Sequence, residues 1–125
     1  MKKMFFTLFV LSACFCAKAQ FANHKFEGTL HIDNQDMPVT MDFKKDTLNA
    51  LITTSGELLE QMVYTAKNGI VTFKKVSGRS ECGTDIVGKY KYTIKNDTVT
   101  LAVSEDLCGD RAGVLDKSVW KKQKK

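Results

Sequence analysis

Histidine is scarce in this 125-residue chain: His24 and His31 stand near the start and none follows residue 31. A cysteine further along has no neighbouring imidazole in sequence to take its proton, which argues against a thiol nucleophile. Cysteine is almost as sparse. Cys14 and Cys16 lie in the N-terminal apolar stretch, which leaves only Cys82 and Cys108. Two thiols far from both histidines fall short of the three or four regularly spaced ligands of a zinc site. No metal ligand, cofactor or catalytic residue is therefore assigned. Proline occurs once, as Pro38. Beyond residue 17 no apolar run is long enough to cross a bilayer. No repeat, low-complexity tract or composition shift divides the chain, so it reads as one domain.

Positive charge is thinner than the total of +5 suggests. Without Lys2, Lys3 and Lys18 the net charge falls by three to +2. Without Lys121, Lys122, Lys124 and Lys125 it falls by four more, to −2 over residues 20–120. A nucleic-acid footprint needs a basic face on the domain itself, so no nucleic-acid partner is expected. Residues 122–125 read as a basic tail.

What is present begins with an address. Residues 1–19, MKKMFFTLFVLSACFCAKA, place two lysines before a short apolar run and end on the small-x-small pattern Ala17-Lys18-Ala19. That is the pattern of a secretory signal peptide cut before Gln20. A second reading competes: Leu11-Ser12-Ala13-Cys14 resembles a bacterial lipobox, in which Cys14 would carry a lipid anchor. Both readings export the protein, to the periplasm or beyond in the first case and to the envelope surface in the second.

In an oxidising compartment two cysteines most simply pair. Between them lies a hairpin. With Asn96-Asp97 at the turn, Ile94 faces Val99, Tyr92 faces Leu101 and Tyr90 faces Val103, while Thr93 meets Thr100 on the other face. Cys82 and Cys108 fall just past its open end, so a disulfide would staple the base.

The same test finds more hairpins. Asn68-Gly69 sets Tyr64 against Phe73, and Lys45-Asp46 sets Phe43 against Leu48. A four-residue loop from Asn34 to Met37 is expected to set Leu30 against Met41, with Pro38 at a strand start. Strands are expected at about 25–33, 38–44, 47–53, 61–67, 70–76, 86–94, 98–104 and 114–121, and residues 55–61 form a short helical turn or irregular lid. The fold class is all-β. Eight antiparallel strands in a meander lose their edges by closing into an up-and-down barrel over residues 20–121, with a two-sheet β-sandwich as the alternative.

The C-terminal third, GKYKYTIKNDTVTLAVSEDLCGDRAGVLDKSVWKK, resembles that of small bacterial lipocalin-like domains. The matching residues are Gly88 and Tyr90, then Asp106, Cys108 and Arg111, then Trp120. The first strand, FEGTLHI, lacks the tryptophan usual there. The resemblance implies a calycin-type barrel in which Arg111 packs over an aromatic, here Trp120, to close one end. Asp106 caps its loop or pairs with Arg111.

An eight-stranded barrel is either filled or just wide enough for one small ligand. Met41, Phe43, Tyr64, Phe73, Tyr90, Tyr92 and Leu101 fall on inward faces, and Gly28 and Gly88 leave space beside them. These residues are expected to border an apolar cavity in which a tyrosine hydroxyl orients a small hydrophobic or amphipathic ligand. His31 and Asp33 point outward, and Glu57 and Glu60 are solvated. Three functions follow: a monomeric exported carrier of a small apolar molecule, a non-catalytic envelope protein with a filled barrel, or an enzyme or enzyme inhibitor, which would need a conspicuous polar cluster inside the barrel. N-terminal sequencing of exported material is expected to begin at Gln20; a diacylglyceryl mass on a chain beginning at Cys14 would establish the lipobox reading instead.

Overall fold

Polar and apolar residues alternate through most of the chain, and alternation of period two lets a strand bury one face. The computed structural model, which describes residues 17–124, turns that pattern into a meander. After a short 3-10 turn at Ala17–Gln20 come β1 (Lys25–Ile32), β2 (Gln35–Phe43), β3 (Thr47–Ile52), β4 (Leu58–Lys67), β5 (Ile70–Gly78), β6 (Val87–Lys95) and β7 (Thr98–Glu105). A helix α1 (Gly109–Leu115) and the short β8 (Val119–Lys122) complete it. Each strand pairs antiparallel with the next, and β8 returns to β1 through Phe26↔Lys122 and Glu27↔Lys121. The result is a closed eight-stranded up-and-down barrel. Closure pairs the two outer strands with each other and excludes the sandwich. The leader and the lipobox cysteine Cys14 lie outside the described residues.

Turn chemistry sets the registers. Asn68 and Gly69 have φ of 54° and 77°, and Asn96 and Asp97 of 49° and 64°. Positive φ at both central residues gives the hairpin turn whose twist matches the strands. Tyr64↔Phe73 and Tyr92↔Leu101 pair as the alternation required. So do Phe43↔Leu48 and Met41↔Ala50 around the Lys44–Asp46 connection.

The first hairpin corrects the expectation. Asp33 and Asn34, with φ of 50° and 62°, form the same two-residue turn in place of a loop from Asn34 to Met37. Leu30 therefore faces Met37, and Met41 faces Phe26. The slip is an even number of residues, so every side chain keeps its face. Pro38 lies inside β2, not at its start. Its carbonyl accepts from Thr53 N at 3.0 Å, so the position of its missing N–H faces the end of β3 and costs no bond to β1.

Two further segments differ from expectation. Residues 58–61 are not a lid but the start of β4, anchored where Arg79 N donates to Leu59 O. The expected strand at 114–121 forms only over its last residues, because residues 114 and 115 close a helix that begins at Gly109. Arg111 and Leu115, one turn apart, are both buried and give α1 a single inward stripe. The chain then reverses at Lys117, φ 63°, and only Val119–Lys122 extends as strand. Lys122 thus belongs to the barrel instead of the tail.

The alternation points Phe26, Leu30, Val39, Met41, Phe43, Leu48, Met62, Tyr64, Val71, Phe73, Tyr90, Val99, Leu101 and Trp120 into one buried cluster. At the barrel end where β1 begins, Phe21 enters that cluster. At the other end the β5–β6 loop is tied across to the β7–α1 connection by a disulfide between Cys82 and Cys108, with Cα atoms 5.4 Å apart and a sequence separation of 26. Alkylation without reductant is expected to label neither cysteine. Replacing both by alanine is expected to lower the denaturant-derived stability by about 3.5 kcal/mol, the loop-entropy value for a closure of this size.

Candidate functional site

The residues expected to line a cavity do converge inside the barrel, and there they fill it. Met41, Phe43, Tyr64, Phe73, Tyr90 and Leu101 are buried, and Tyr92 is half-buried. Their rings meet each other: Phe43 and Tyr64 edge-on with centroids 4.9 Å apart, Phe73 and Tyr90 at 5.6 Å. The space left among Phe21, Met41, Phe73, Leu101, Trp120 and their neighbours is about 10 Å³. That is about the room one water requires. The expected apolar cavity is corrected accordingly.

The glycines explain why. Gly28 and Gly88 leave space, but side chains occupy it. A Cβ on Gly28 would sit 2.9 Å from Trp120 Cε3 and 2.7 Å from Val119 O. The Trp120 ring therefore lies directly on the β1 backbone, and its Nε1 donates to Ser118 Oγ at 2.8 Å. A Cβ on Gly88 would fall 3.0 Å from Arg111 Nε and still closer to Asp106 Oδ2.

Gly88 thus makes room for a buried charged knot. Arg111 does not close the barrel by covering Trp120; its guanidinium grips Asp106. Nε donates to Oδ2 at 2.7 Å and Nη2 to Oδ1 at 3.0 Å, while Nη2 also reaches Ile86 O at 3.1 Å. Tyr90 donates its hydroxyl to Oδ2, and Cys108 N donates to Oδ1 at 2.9 Å. The Asp106 side chain is 0% exposed and that of Arg111 5%. Burial alone would raise the Asp106 carboxyl; the bonds from Arg111, Tyr90 and Cys108 N and the Arg111 charge outweigh it and hold the group below its ordinary value. Burial opposes the Arg111 charge as well, yet Asp106 raises its pKa overall. Both roles expected of Asp106, loop cap and Arg111 partner, fall on one carboxylate.

The tyrosine hydroxyls are engaged by the protein. Tyr64 donates to Lys44 O at 2.7 Å at one barrel end, and Tyr90 donates to Asp106 at the other. Burial, aided by Asp46, pushes Tyr64 up to about 12. Burial and the Asp106 bond push Tyr90 up further, and burial raises Tyr92.

Several organising residues left little trace in the sequence. Phe21 plugs the end opposite the knot, 5.2 Å from Phe43, 5.8 Å from Phe26 and edge-on to Tyr92 at 5.1 Å. Its only signal is a lone aromatic in the polar stretch AQFANHK. Glu60 accepts from Ser80 Oγ at 2.5 Å and Ser80 N at 3.2 Å, beside Lys75 at 3.9 Å. It is a tie to the β5–β6 loop and not a solvated carboxylate. Glu57 pairs with Arg79 of the same loop. His31 faces outward as expected, with Nδ1 3.0 Å from Asp36 Oδ1, whereas Asp33 belongs to the turn.

The larger surface depression, about 370 Å³, is a polar cleft among Asn23, His24, Lys25, Asp42, Lys44 and Lys124, outside the barrel wall. Its carboxylate, on Asp42, pairs with Lys44 at 3.2 Å. No protein-family model, curated protein or solved structure matches this chain.

The tyrosines give the site a pH signature. Tyr64 and Tyr90 are raised in the folded state, so their contribution is fully present below the unfolded value of 10.0 and is lost as pH rises, through about 12 for Tyr64. Asp106 is lowered, so its contribution is present above 3.8 and is lost as pH falls below that. In an alkaline titration the tyrosinate absorbance of Tyr64 and Tyr90 is expected to rise together with loss of circular dichroism, not ahead of it. Ionisation of all three tyrosines near pH 10 in a folded barrel would contradict the buried placement.

Proposed function

We propose that this protein is an exported, lipocalin-like barrel that acts through its outer surface as a non-catalytic interaction protein of the bacterial envelope. The filled interior carries the reading: about 10 Å³ of space does not accommodate an apolar ligand. The Tyr64 and Tyr90 hydroxyls and the Asp106 carboxylate are held by protein partners, and both barrel ends are stoppered, one by Phe21 and the other by the knot and disulfide.

The signal-peptide pattern of residues 1–19 and the Cys82–Cys108 disulfide support export to an oxidising compartment. Among the described residues no helix is long and apolar enough to cross a membrane. Processing before Gln20 would release the chain as a monomer; processing at Cys14 would tether it by a lipid. The interaction reading is compatible with either. The lipocalin-like resemblance contributes an architecture here and not a ligand.

Native mass spectrometry of the protein recovered from the extracytoplasmic fraction tests this reading. The expected species is the processed, disulfide-bonded chain with no small molecule attached, and a hydrophobic fluorescent probe is expected not to bind it. A stoichiometric apolar molecule that is lost only on unfolding would overturn the reading in favour of a carrier.

A further inference from the structure

We propose that the outer wall formed by β4 to β8 is a docking face for an acidic polysaccharide. The inference rests on the interaction reading above and names its partner class. The pairing registers put Lys67, Lys74, Lys89, Lys91, Lys95 and Lys121 on this wall, and all are exposed. Lys89 lies 3.9 Å from Glu105; the other five make no ion pair among the described residues. The wall of β1 to β3 mixes signs, with Glu27, Asp36 and Asp42 facing out beside Lys25; Glu27 stands directly across from Lys121, at the margin of the basic wall. A net charge of −2 over residues 20–120 therefore conceals a segregation of charge.

The spacing suits a linear chain. Lys89, Lys91 and Lys95 follow one edge of β6 over about 20 Å, and Lys67 and Lys91 flank Ile70 about 10 Å apart. Like charges this close repel and weaken the sheet. A polyanion lying along β6 would relieve that repulsion. Between the lysines stand Thr93 and Thr100, whose hydroxyls can both donate to and accept from sugar hydroxyls, and Thr65 and Thr72, whose hydroxyls bond each other at 2.5 Å and keep acceptor capacity.

The wall lacks what other polyanions use. Every aromatic residue in the described range belongs to the interior cluster, so single-stranded nucleic acid finds no stacking platform. A bilayer finds neither interfacial tryptophan or tyrosine nor a flat surface, since the wall is convex. The exposed apolar residues of β4 to β8, Leu58, Val63, Val76, Val87, Ile94, Val103 and Val119, are all aliphatic. Regularly spaced carboxylates on a hydroxyl-rich backbone match the lysine and threonine pattern best.

The test passes the oxidised, processed protein over immobilised polygalacturonate, a linear carboxylated glycan, at low and high salt. Binding is expected at low salt and is expected to vanish at high salt. The triple variant Lys89→Gln/Lys91→Gln/Lys95→Gln is expected to bind at least about tenfold more weakly with unchanged circular dichroism. Lys25→Gln/Lys45→Gln, away from the wall, is expected to bind like the unmodified protein. Equal weakening in both variants overturns the proposal, as does failure to bind polygalacturonate while an oligo-dT strand or phosphatidylglycerol vesicles bind. The interior does not enter this measurement. A protein that ignores the glycan yet holds no small molecule loses only the named partner, whereas one that holds an apolar molecule loses the interaction reading itself.

Discussion

The carboxylate of Asp106 is the point at which the barrel is held to its own connections. It lies at full burial just past β7, and through its two oxygens it reaches β6 by Tyr90, α1 by Arg111 and the disulfide by the Cys108 amide. Arg111 extends the contact to the β5–β6 loop at Ile86. A buried ion pair contributes little net stability when compared with a well-packed apolar substitute, but removing one partner strands the other charge at a cost of about 3–5 kcal/mol. The arrangement therefore serves geometry more than stability. It admits one placement of α1 over the barrel end, and the glycine at 88 follows from it, since any side chain there would occupy the Asp106 position.

A second consequence concerns the interior. In a barrel of eight strands the width is set by strand number and stagger, so the available volume is small from the start. Here aromatic rings use it throughout: Phe21, Phe43 and Tyr64 toward one end, Tyr90 toward the other, and Phe73 and Trp120 between them. The polar tip of each buried tyrosine reaches a rim and finds a protein partner there, as buried hydroxyls generally must. A ligand entering this space would have to displace both a ring and a hydrogen bond.

The sequence showed the wall of this molecule far better than its contents. Alternation and Asn-Gly or Asn-Asp turns act over a few residues, so the pairings of Tyr64 with Phe73 and Tyr92 with Leu101 could be read directly. Asp33-Asn34 offers the same turn chemistry, yet an equally regular pattern survives an even slip, and alternation alone could not separate the two registers. The helix at 109–115 is too short to establish a period against the strand-like residues that follow it. Gly28 and Gly88 were visible as missing side chains, but whether a gap is empty or occupied depends on which distant ring arrives. Trp120 and Asp106 come from the far end of the chain. Phe21 was hidden for the same reason, since nothing local distinguishes a plug from a linker.

The bond from Gln123 N to Lys25 O, 2.8 Å long, places the last strand's exit beside the first strand's entry. Topologically the backbone is close to a ring. A ring of antiparallel neighbours has no privileged first strand, and the same circle could be cut at the exposed Asn68-Gly69 turn and rejoined by a short linker with its pairings intact, the circumstance in which circular permutation is tolerated. Phe21, just before β1, packs beneath the barrel against Phe43, so in such a rearranged chain the new linker would carry the plug, and one short piece of polypeptide would both join the last strand to the first and stopper the end they share.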